Sequence, residues 1–128
     1  FLKSKAINVQ VYGEDNQNVA DNYSDIGRLA RDQGQMKRAR DMFENALRIN
    51  VQVYGDINQS VAANYIDFGR LATDEGELEI AKDMFEKALS IDSKVFGRNN
   101  QNVASDYTDI GRLARDQGRL DYAKRKFE

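Results

Sequence analysis

Residues 16–34 read NQNVADNYSDIGRLARDQG, and residues 100–118 read NQNVASDYTDIGRLARDQG. The two stretches differ only at Asp21/Ser105, Asn22/Asp106 and Ser24/Thr108. A third copy, NQSVAANYIDFGRLATDEG, lies between them at residues 58–76, one step of 42 from each neighbour. A period of this length marks a repeat architecture, in which each unit completes its core only against the next. The same step continues through Ala39/Ala81/Ala123 and Phe43/Phe85/Phe127, while Gly13, Gly55 and Gly97 fall at the junctions.

Each repeat reads as two helices. The first spans about residues 17–33, with Val19, Tyr23, Ile26, Gly27 and Ala30 spaced as one helical stripe. Asn16, Asn58 and Asn100 stand where an N-cap belongs, offering a side-chain oxygen to an orphan backbone N–H. Gly34, Gly76 and Gly118 are read as left-handed residues that close this helix and turn the hairpin. The second helix spans about residues 35–53 and shows two stripes, Ala39, Phe43, Ala46 and Met42, Ile49, Val53. Two stripes imply contact on both sides. Gly27 and its copies cost about 1 kcal/mol relative to alanine inside a helix. Their recurrence is explained by close approach of the paired helix, expected at Ala39. Tyr23, Tyr65 and Tyr107 are read as core anchors. The fold class is therefore all-α, and any strand would contradict it.

Composition narrows the function. The chain has 128 residues, a net charge of −2, and neither cysteine, histidine nor proline. Disulfides and thiolate chemistry are excluded, and the usual neutral-pH base and transition-metal ligands are missing. No enzyme, cofactor or metal site is expected. The weak net charge gives no field for nucleic acid or a membrane surface, and no apolar run approaches a membrane span. The first residue is Phe1, so the chain reads as a piece of something longer; a cytoplasmic location is the default expectation.

The run Tyr23, Ile26, Gly27, Ala30, Gly34, Ala39, Phe43, Ala46 resembles the pattern of the tetratricopeptide repeat family. The period of 42, with the junction Val53-Tyr54-Gly55 followed by Val61-Ala62, is similar to the longer form found in kinesin light chains. Asn-Gln at 16–17, 58–59 and 100–101 stands where that form usually carries His-Pro. The resemblance implies a right-handed superhelical solenoid of antiparallel helical hairpins. It implies one repeat domain over 1–128: residues 1–15 end a preceding repeat, 16–57 and 58–99 are repeats, and 100–128 is a truncated third.

The resemblance further implies a scaffold that binds a peptide or protein partner along a concave face. Carried over, that face comprises Arg28, Arg31 and Asp32, with Asp21 and Ser24, in the first repeat. It comprises Ile66, Arg70 and Asp74, with Ala63 and Thr73, in the second. In the third it comprises Thr108, Arg112, Arg115 and Asp116, with Ser105. Arg28, Arg70 and Arg112 would form a ladder of guanidinium groups suited to carboxylates. The alternative for these arginines is structural: an aspartate lies three residues before each and another four after, close enough to pair along the helix.

The second functional reading is self-assembly. Phe1 and Phe127 share the phase of Phe43 and Phe85, so the chain opens inside one second helix, Phe1 to about Tyr12, and closes inside another, about Arg119 to Glu128. End-to-end stacking of copies would then continue the repeat as a homo-oligomer.

Overall fold

The computed structural model describes residues 16–127, which form α1 (Gln17–Asp32), α2 (Met36–Tyr54), α3 (Gln59–Asp74), α4 (Leu78–Phe96) and α5 (Gln101–Phe127). All five are α-helices, with no strand among the described residues, and the protein is an all-α repeat fold. The opening segment Phe1–Tyr12 and the junction at Gly13 lie outside the described residues. None of the helices is long and apolar enough to cross a membrane. The chain divides into two compact units, residues 1–56 and 57–128.

The helix ends form as their residues dictate. Asn16 Oδ1 accepts from Val19 N–H at 3.1 Å, Asn58 Oδ1 from Ser60 N–H at 2.7 Å and Asn100 Oδ1 from Asn102 N–H at 2.8 Å. Gly34 closes α1 at φ +77°, with Gln35 N–H donating to Ala30 O at 2.8 Å and Gly34 N–H to Arg31 O at 3.0 Å. This paired capping satisfies two carbonyls that the helix leaves open. Gly76 repeats it at φ +77°, through Glu77 N–H to Ala72 O and Gly76 N–H to Thr73 O.

In the first unit, α1 packs on α2. The buried face of α1 is Ala20, Ser24, Gly27 and Ala30, one position on from the expected stripe at Val19 and Tyr23. Val19 and Tyr23 are half-buried, and Ile26 is exposed. Small residues on this face let α2 come close and seat Phe43, whose side chain is fully buried. On α2 the buried apolar set is Ala39, Phe43, Ala46 and Ile49, beside the buried Asn50, so Ile49 joins the first stripe. Val53, expected on a second buried stripe, is exposed and Met42 half-buried. The Tyr54 hydroxyl donates to Gln17 Oε1 at 2.8 Å, tying the end of α2 to the start of α1.

In the second unit, α3 packs on α4 and α4 on α5. Ala72, Ala81, Phe85 and Leu113 make one buried cluster, edged by Ile66, Leu78 and Ile110. The Lys87 ammonium lies 5.4 Å from the centre of the Tyr65 ring. Tyr107, expected as an anchor like Tyr23 and Tyr65, is instead exposed.

The glycines on the first helices make room for a ring, not for Ala39 as expected. A Cβ on Gly27 would lie 2.5 Å from Phe43 Cε1, and one on Gly69 2.5 Å from Phe85 Cε1. At Gly111 nothing lies within 4 Å. The expected turn at Gly118 is absent as well: α5 continues through it to Phe127, and Gly118 has no positive φ. Residues 118–126 are exposed, and the unbroken helix keeps its backbone hydrogen bonds through them.

Candidate partner-binding face

In the first unit Arg28 is half-exposed, and its Nη1 lies 3.3 Å from Asp25 Oδ1 on the same helix. Asp21 and Asp32 are exposed and Arg31 is half-buried. Ser24, assigned to the face by resemblance, is buried at 6% exposure as part of the contact with α2.

The second unit treats the corresponding residues differently. Ile66 edges the buried cluster, which makes it chiefly a packing residue. Asp67, three residues before Arg70, is buried at 2% exposure. Arg70 reaches across to α5, with Nη2 3.9 Å from Asp109 Oδ2. Repeat one thus pairs its arginine within the helix, whereas repeat two uses it to join α3 to α5. Asp74 and Ala63 are exposed, and the Thr73 hydroxyl donates to Gly69 O at 2.8 Å.

On α5, Thr108, Arg112 and Arg115 fall at i, i+4 and i+7, on one side of the helix, and all three are exposed. The Thr108 hydroxyl donates to Ala104 O at 3.0 Å, and Arg115 Nε lies 3.8 Å from Asp116 Oδ1. Arg112 makes no ion pair with any described residue, in contrast to Arg28 and Arg70. A neighbouring groove of about 300 Å³ is lined by Leu78 and Lys82 of α4 and by Leu113, Ala114 and Gly118 of α5. Ala114 is exposed there, although its counterparts Ala30 and Ala72 are buried.

One cluster escaped the sequence reading. Asp92 on α4 and Asp106 on α5 are buried at 5% and 3% exposure. The Asp106 carboxyl is pushed up to about 8 from an ordinary 3.8, first by burial, then by its hydrogen bond to Asp92 and by the charges of Asp92 and Asp109. The signal was present in the opening comparison, since Asn22/Asp106 is one of its three differences. Nothing in periodicity marks a polar position as buried.

Comparison with known proteins agrees with this geometry. Two tetratricopeptide repeat family models match, one over residues 59–128 and the other over residues 19–59. No curated protein matches the chain. Among solved structures, the chain resembles the crystal structure of BtubC (BKLC) from P. vanneervenii, with a TM-score of 0.66 and 21% identity. The match covers 94% of this chain and 51% of that one, so the chain spans about half the length of its structural relative. With helical hairpins recurring every 42 residues and family models matching along both units, the chain belongs to the tetratricopeptide repeat family.

Proposed function

We propose that this chain is a non-enzymatic, cytoplasmic scaffold that binds an acidic peptide segment of a partner protein through α5, the first helix of its third repeat. Tetratricopeptide repeats are in general protein-interaction modules. The observation that carries the reading is Arg112: exposed, without an ion pair among the described residues, and on one face with Thr108 and Arg115. A guanidinium group held open on a rigid helix offers a planar fork of donors to a carboxylate. Arg28 and Arg70 lie at the same repeat position but have carboxylates of this chain at 3.3 and 3.9 Å. In this reading Arg28 and Arg70 are held in pairs of the chain's own, and Arg112 carries the recognition.

The test is selection from a displayed peptide library, followed by titration of the enriched peptides. Enriched sequences should be acidic, and Arg112→Gln should weaken them at least about tenfold with helicity unchanged. Equal affinity for the variant, or enrichment without acidic residues, would reject the assignment. Head-to-tail stacking of copies would need the opening residues as one of its two surfaces, and those lie outside the described residues. Its other surface, the stretch of α5 after Gly118, is exposed.

A further inference from the structure

Two carboxyl groups within hydrogen-bond reach and out of water cannot both ionise; one proton has to remain between them. Asp92 and Asp106 meet that condition across the contact of α4 with α5, the Asp106 O–H donating to the Asp92 carboxylate. Asp106 Oδ2 is itself fully buried, and apart from Asp92 no described residue partners it. Asp109, on α5 itself, adds a further negative charge, offset by Arg70 from α3 at 3.9 Å. One step of 42 earlier the same two positions are Asn50 and Asn64, which are buried at 2% exposure each and carry no charge at any pH. The exchange of amide for carboxyl at both positions makes the α4–α5 contact titratable.

We propose that the α4–α5 joint is locked by a single proton shared between Asp92 and Asp106, and that loss of this proton loosens α5 from the array. The device acts on the helix that carries Thr108, Arg112 and Arg115, although it stands whether or not that face binds a peptide. In the folded chain Asp106 holds its proton up to about pH 8, and in the unfolded chain only to about 3.8. The folded state therefore binds more protons between these values, and its stability falls as pH rises through that window. Stability from this source is fully present below about pH 4 and exhausted above about pH 8. The chain has no histidine and no cysteine, the side chains that ordinarily titrate near neutrality. A slope there therefore points to Asp106, with the terminal amine as the other ordinary titrant.

The experiment is urea unfolding of the chain between pH 6 and 9, monitored by helicity, alongside Asp106→Asn and the double change Asp92→Asn/Asp106→Asn. The folding constant of the unaltered chain should drop at least about tenfold across this range. Both variants should be nearly flat, because an amide can donate without a shared proton. A flat profile for the unaltered chain, or the same slope in the variants, overturns the proposal. Should the variants fail to fold, carbon-detected NMR titration of the unaltered chain decides. A midpoint for the Asp106 carboxyl well above the ordinary carboxylate range supports the lock, and one near 4 rejects it.

Discussion

Phe43 and Phe85 occupy space that a single methyl group would close. A Cβ on Gly27 or Gly69 would lie 2.5 Å from the facing ring, too near for either to stay where it is. Gly27→Ala and Gly69→Ala should each destabilise the chain by about 1–3 kcal/mol through overpacking, despite alanine's better helix propensity. Gly111→Ala meets nothing within 4 Å and should stabilise by up to about 1 kcal/mol. Urea midpoints of the three variants measure this directly, and a destabilised Gly111→Ala would show that a ring does cover that site. The same residue type at the same repeat position thus has opposite value, set by the neighbour.

At the scale of the helix, two glycines of one repeat phase behave in opposite ways. Gly76 ends α3 at φ +77°, where a Cβ is strained whatever the space around it. Gly118 sits inside α5, in helical conformation. Gly76→Ala should therefore cost about 1–2 kcal/mol, the penalty of a left-handed alanine. Gly118→Ala should instead increase helicity by circular dichroism; a loss of helicity would mean that the chain turns there. Between helices, Arg70 and Asp109 link α3 to α5, but the arginine side chain is 49% exposed. Arg70→Gln should lower stability by less than about 1 kcal/mol, as solvent screens the pair. A larger loss by thermal denaturation would mark the link as a principal tie of α5.

Within each unit, the main packing contacts run between helices adjacent in sequence: α1 with α2 in the first, α3 with α4 and α4 with α5 in the second. Stability in such an array is approximately a sum of local terms, and units open separately. Phe43→Ala removes a fully buried ring from the first unit, a change that costs about 3–5 kcal/mol in a well-packed core. Amide exchange should then lose protection in α1 and α2 while α4 keeps most of its own. Uniform loss along the chain would indicate a single cooperative unit instead. In the unaltered chain, protection should be weakest after Gly118, where the helix is exposed along its length.

The period of 42 by itself determined that the chain is a helical repeat and where the N-caps of its first helices fall, because identical local sequences meet identical local physics. Asn16, Asn58 and Asn100 cap as their side chains require, and Gly34 and Gly76 adopt the left-handed backbone they alone tolerate cheaply. Gly118 departs from its copies because glycine permits a turn without requiring one, and here it sits inside α5. The arginines were equally legible as a recurring residue, yet only the tertiary structure decided their roles. Arg28 finds Asp25 on its own helix, Arg70 finds Asp109 on another, and Arg112 finds neither. On α1 the buried stripe holds Gly27 and Ala30 as read, but Ala20 and Ser24 in place of Val19 and Tyr23, a choice set by how α2 packs. The Asp92–Asp106 pair was hidden for a related reason: a polar residue's chemistry is written in the sequence, but its burial depends on which helix packs over it.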